Sequence, residues 1–117
     1  MKSAYAQELV LQFPSSSIKD YDALIELEDR ISAGFGNLGK VSGHDMGVGE
    51  MNIFVRTNHP KLAFDKFKLL LGTQDFMPEL KAAYRDVGKD SYTILHPPGL
   101  GHFSINDFHN FETRQIL

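Results

Sequence analysis

Gly43-His44-Asp45-Met46-Gly47-Val48-Gly49-Glu50-Met51-Asn52-Ile53-Phe54-Val55-Arg56-Thr57 is the stretch on which the fold turns. Met51, Ile53 and Val55 alternate with polar or aromatic residues, which is the period of a strand with one buried face. Met46-Gly47-Val48-Gly49 before it is a turn, because glycines supply the positive φ angles that a tight reversal needs. Leu38 to Asp45 then reads as a weaker, glycine-rich strand, and the two strands close a hairpin.

On each side of this hairpin lies a helix. Tyr21, Leu24, Leu27 and Ile31 recur at spacings of three and four, the stripe of an amphipathic helix over residues 18–33. Ser17 is expected to cap it, with Asp20 three residues later in a variant capping box. Glu26 and Arg30 can pair on its outside. Asn58 or His59 opens the second helix, with Pro60 in its first turn, and Gly72 ends it. Ala63, Phe67, Leu70 and Leu71 form its core stripe. Residues 4–13 read as a strand, Tyr5, Leu9, Leu11 and Phe13 on one face and the half-polar set Ala6, Glu8, Val10 and Gln12 on the other. Residues 82–87 and 91–96 read as two more strands around Gly88-Lys89-Asp90.

The order β-α-β-β-α-β-β predicts an α+β fold, a ferredoxin-like sandwich in which two helices cover one face of an antiparallel sheet. The expected strand order is 5-4-1-3-2. Residues 1–98 are read as one domain. Residues 99–117, which begin Gly99-Leu100-Gly101 after two prolines, are read as a tail that docks on the domain or on a partner.

Composition limits the chemistry. The chain has 117 residues, a formal net charge of −3, no cysteine, and 42% apolar residues. That is enough chain to bury a core without disulfides, and no thiolate metal site or nucleophile is available. No run of Lys or Arg exists, so neither nucleic acid nor an anionic membrane is an expected partner. Glu8 interrupts the apolar region a secretion signal would need, and the expected location is the cytoplasm. His44, His59, His96, His102 and His109 lack the close spacing of common metal motifs, so no metal or other cofactor is expected.

Chain direction carries three features to one rim of the sandwich: the segment Ser15-Ser16-Ser17, the hairpin tip, and the segment from His96 to His102. A site there would use His44 as acid and base, with Asp45 or Glu50 orienting it. Gly47 and Gly49 would let backbone approach a ligand, and Asn52 would bind it. Amides at the first helix, near Ser15, Ser16 and Ser17, would receive a small anionic ligand. Turn chemistry alone also accounts for the same glycines, Asp and Asn. On the open sheet face, Phe54 and Arg56, together with Phe108 and Phe111 of the tail, form the expected interface with a protein partner or a second copy of the chain.

The motif Gly43-His44-Asp45-x-Gly47-x-Gly49-Glu50-x-Asn52, followed by the second helix and by Ala83-Tyr84-Arg85-Asp86 and Tyr92-Thr93-Ile94-Leu95, resembles a family of small uncharacterised bacterial proteins. The resemblance covers most of residues 4–98. It implies bacterial origin and a compact α+β domain, and it implies no activity. Small acidic domains of this size include immunity partners of toxins, an analogy of size and charge. Acylphosphatases share the expected architecture but place an arginine between the first strand and helix; Phe13-Pro14-Ser15-Ser16-Ser17 has none, so that activity is rejected. The favoured function is a binding protein that works by protein contact. The alternative is a small-ligand or hydrolase-like site at the hairpin.

Overall fold

The computed structural model describes residues 5–105. Its elements run β1 (Gln7–Pro14), α1 (Tyr21–Phe35), β2 (Gly39–Met46), β3 (Glu50–Thr57), α2 (Pro60–Leu71), β4 (Lys81–Asp86) and β5 (Thr93–His96). Short 3₁₀ turns occupy Ser15–Ser17, Gly36–Leu38 and Met77–Glu79. The five strands form one sheet in the order β2-β3-β1-β4-β5, with every neighbouring pair antiparallel. β1 lies at the centre, between β3 and β4, which is also its place in the order 5-4-1-3-2.

The central strand is buried on both faces. Leu9, Leu11 and Phe13 point with Met51, Ile53, Val55 and Ala82 toward the helices. There they meet Leu24, Leu27, Ile31 and Phe35 of α1 and Ala63, Phe64, Phe67 and Leu71 of α2. The two helices come close because Gly34 carries no side chain. A Cβ there would lie 2.3 Å from Cδ1 of Leu70, so Leu70 fills the space against α1.

The helix starts depart in part from the sequence reading. Asp20, not Ser17, is the N-cap of α1, and its Oδ1 accepts a 2.8 Å hydrogen bond from the backbone N–H of Ala23. Both residues suit a cap, but the serines are already committed to a separate 3₁₀ turn. α1 therefore begins at Tyr21, and Tyr21 is 65% exposed rather than part of the core stripe. At the other helix His59 occupies the cap position and Pro60 the first turn. Thr57 Oγ1 accepts from His59 N–H and donates to the Leu38 carbonyl, tying this entry to the start of β2.

The second sheet face is not bare. Phe103, only 7% exposed, packs on Val10 and Ala83, with Phe54, Tyr92, Ile94 and Ile105 around it. Residues 102–105 thus lie as a strap over the face that the sequence offers to a partner. Phe54 is partly buried in this cluster. Phe108 and Phe111 lie outside the described residues.

Candidate functional site at the hairpin rim

The hairpin tip and the segment after β1 meet. Pro14 pairs with Glu50, and Ser15 N–H donates to the Gly49 carbonyl at 3.1 Å. Gly49 has φ of +77°, a value that favours glycine, and Gly47 N–H donates to the Glu50 carbonyl at 2.9 Å to close the turn. The expected anion cradle is corrected by the same geometry. Ser15, Ser16 and Ser17 are separated from the head of α1 by Ile18, Lys19 and Asp20. At that head the Asp20 carboxylate already holds an amide and adds negative charge. Ser17 faces a different cleft of about 180 Å³, shared with Lys19, Arg30 and Asp75.

His44, Asp45 and Glu50 do not converge as a catalytic set. A β-bulge interrupts the register of β2 between Val41, opposite Val55, and Gly43, opposite Phe54. Ser42 is the extra residue, and its hydroxyl donates to the Phe54 carbonyl at 3.3 Å. Gly43 takes φ of +150° there. One added residue reverses the alternation. His44 consequently sits opposite Ile53 on the helix side, while Asp45 sits opposite Asn52 on the other. The carboxylate that meets His44 is Glu28 of α1, with Nδ1 3.1 Å and 3.2 Å from its two oxygens. The ring of Tyr21 lies edge-on, 6.1 Å away.

Glu50 belongs to a different group. Asn52, fully buried, donates through Nδ2 to Glu50 Oε2 at 3.2 Å. Gln12 Nε2 reaches Asn52 Oδ1 at 3.0 Å, Glu50 Oε2 at 3.3 Å and the Ser104 carbonyl at 3.0 Å. This chain of amides satisfies polar atoms under the strap and latches residue 104 to the central strand. Beside it opens a cleft of about 410 Å³, whose lining includes Gln12, Gly49, Glu50, Glu79 and Lys81. His44 lines neither of these two clefts.

Further down the second face, Glu8 is held between two arginines. Its Oε2 accepts from Arg56 Nε at 3.3 Å, and its Oε1 accepts from Arg85 Nε at 3.0 Å and Nη2 at 2.9 Å. Arg56 is therefore a structural partner as well as a candidate contact. Tyr92 stands close by, its ring 5.0 Å from that of Phe103. Burial pushes its phenol above the ordinary value, against the opposing effect of Arg85, and Glu8 and Asp90 add to the rise.

His96, at the end of β5, packs its ring 5.6 Å from that of Phe64. Burial, and then the ammonium of Lys68, lower its pKa below the usual imidazole value. The folded state then binds a proton less readily than the unfolded chain, so this residue removes stability as pH falls below about 6.5. Wild-type protein is expected to lose more of its urea midpoint between pH 7.5 and 5.5 than the His96→Asn variant. Equal losses would contradict this assignment.

Two features escaped the sequence reading. Glu28 stands in the middle of the apolar stripe of α1, between Leu24 and Ile31, and a carboxylate at such a position signals a buried partner. The second is a corner of exposed apolar side chains. Tyr21, Met46 and Val48 are 65%, 56% and 64% exposed around the hairpin tip, where β2 also presents the free edge of the sheet. Among the described residues no cluster of three or more His, Asp or Glu could hold a metal ion, and no helix is long and apolar enough to cross a membrane. Comparisons with protein-family models, with curated proteins and with solved structures find no match.

Proposed function

We propose that this chain is a ferredoxin-like sandwich with one added edge strand, and that it acts in the cytoplasm as a binding module, by contact with another protein. The central position of β1 between β3 and β4, with both helices on one face, supports the classification. The exposed corner of Tyr21, Met46 and Val48 carries the functional reading. Large apolar side chains grouped at one exposed place form the kind of surface that a partner buries. The corner is also rigid, since Ser15 and the hairpin turn brace the tip and the His44–Glu28 contact braces the strand behind it. A toxin-like or other protein partner would seat an apolar side chain between Tyr21 and Met46.

A photo-crosslinking residue placed at Val48 tests this in extracts of the source cells. One discrete protein adduct is expected, lost in the Met46→Asp background while the fold is kept. The same adducts with and without Met46→Asp, or none above background, would overturn the reading. A second reading, a small polar ligand at the rim, is supported by the cleft beside Glu50, Glu79 and Lys81. Saturable stabilisation by a small molecule, abolished by Glu50→Gln and with no protein adduct, would favour it instead.

A further inference from the structure

Strand register sets one row of charges across the strap side of the sheet. Lys40 of β2 stands opposite Arg56 of β3, Arg56 opposite Glu8 of β1, and Glu8 opposite Arg85 of β4. Directly opposed residues share a face, so four ionisable side chains far apart in sequence stand side by side. The row holds three cations and one carboxylate, in a chain whose formal net charge is −3. Glu8 is fully engaged, since each of its oxygens accepts from an arginine. Lys40 is exposed and has no ion pair among the described residues. Two cations therefore face each other across β2 and β3, a pairing that destabilises a sheet unless an anion offsets it. Donors remain for such an anion. A guanidinium has five N–H groups. Among the described residues Arg56 engages only its Nε, whereas Arg85 engages all three of its nitrogens, with hydrogens left on both Nη atoms.

Beside this row the surface turns apolar and hollow. Phe54, two residues before Arg56, joins Tyr92, Phe103 and Ile105 in walling a cleft of about 630 Å³ that also reaches Glu8 and Arg85. Small-molecule sites span roughly 300–1,000 Å³ and combine apolar walls with a few convergent polar groups. Tyr92, its phenol held above the ordinary value by burial, keeps its proton at neutral pH and adds no charge to the wall. From the row and the cleft together we propose that this face binds an aromatic carboxylate. The carboxylate seats on the Arg56 fork with Lys40 beside it, and the ring enters the cleft against Phe54, Tyr92 and Phe103. A planar carboxylate matches the guanidinium fork, and offset or edge-on contacts among rings add to the burial. Asp90 also lines the cleft, on the β4 side. It lies about 10 Å away, two strand spacings from Arg56. Counting it with the row leaves a local balance of +1, which suits a monoanion better than a phosphate dianion. Glu8 has a second part here, because it holds both guanidiniums in place before a ligand arrives. The site shares no lining residue with the cleft at Glu50 and lies away from the Tyr21–Met46 corner, so it stands or falls independently of both readings above.

Titration of the ¹⁵N-labelled full chain with three probes, followed by amide chemical shifts, tests the proposal. The probes are 3-phenylpropionate, which has both parts; acetate, which has only the head; and 3-phenylpropan-1-ol, which has only the body. Saturable shifts with 3-phenylpropionate are expected at Lys40, Phe54, Arg56, Tyr92 and Phe103, with an affinity at least tenfold above that for either other probe. The affinity is expected to fall several-fold between about 25 mM and 300 mM salt. Lys40→Glu is expected to lose at least tenfold, because the new carboxylate pairs with Arg56 and repels the ligand. Arg56→Gln is expected to lose as much, with thermal unfolding as the check that it folds. Lys40 is exposed and without an ion pair among the described residues, so Lys40→Glu keeps the test decisive even if Arg56→Gln does not fold. Three results would each overturn the proposal: no saturable shift, shifts confined to the rim around Gln12 and Glu50, or an affinity for 3-phenylpropionate that equals that for the alcohol or is unchanged in Lys40→Glu.

Discussion

Replacing Phe67 by alanine is expected to lower the free energy of unfolding by about 4 kcal/mol. Phe67 is fully buried and stands in a row of rings. Its centroid lies 6.4 Å from Phe64 and 6.2 Å from Phe76, and Phe76 stacks on Phe13 at 4.7 Å. This row joins α2, the segment before β4 and the rim end of β1, three pieces that approach only in the folded state. Removing one ring deletes burial and leaves a cavity that fixed neighbours on the sheet cannot close. A domain of this size has about 5–15 kcal/mol in total, so the variant should unfold at a much lower urea concentration. A loss below about 1.5 kcal/mol in urea titration would mean that the surrounding rings collapse into the space.

Glu8→Gln is the second large effect, expected to cost about 2 kcal/mol. Glu8 is 8% exposed at its side chain, while Arg85 and Arg56 are 24% and 31% exposed. Breaking a fully buried ion pair costs about 3–5 kcal/mol because an uncompensated charge is left behind. Water reaches both guanidiniums here, which reduces that figure. The glutamine keeps the shape but leaves two like charges on either side of a neutral amide. Arg85 stays in place through its 2.8 Å bond to the Lys89 carbonyl, so the repulsion is not relieved by its swinging away. Thermal and urea unfolding at low salt should show the loss, and added salt should narrow the gap from wild type. A gap that widens with salt, or one under about 0.5 kcal/mol, would show that solvent rather than Glu8 balances the arginines.

The strands and helices were legible where apolar residues repeat with a clear period. Leu9, Leu11 and Phe13 place β1, Met51, Ile53 and Val55 place β3, and Leu24, Leu27 and Ile31 place α1, because burial on one face leaves a periodic trace. Gly72 marks the end of α2 as expected. The junctions were less legible. Ser17 and Asp20 are both good caps, and only the 3₁₀ turn formed by the serines decides between them. Of the candidate site, the meeting of Ser15 with Gly49 followed from strand direction, since antiparallel pairing fixes which ends touch. The partner of His44 did not, because it depends on a bulge whose position the residues Ser42-Gly43 alone do not specify. The strap likewise rests on long-range contacts, Phe103 on Val10 and Gln12 on Ser104, that no local pattern announces.

The extra residue at Ser42 also governs how this edge tolerates change. Deleting it would remove the bulge and leave the faces as they are, because Gly43 would follow Val41 directly and still sit opposite Phe54, with His44 opposite Ile53 and Asp45 opposite Asn52. Straightening β2 with Ser42 kept would instead move Gly43 to Met46 one place along β3, turning His44 and Met46 to the strap side and Asp45 beneath α1 toward Glu28. The same kink breaks the even spacing of outward amides, so a foreign strand cannot zip along this border without a fault midway. The kink at this exposed serine, not the number of residues in the strand, is in this way the parity bit of the whole rim.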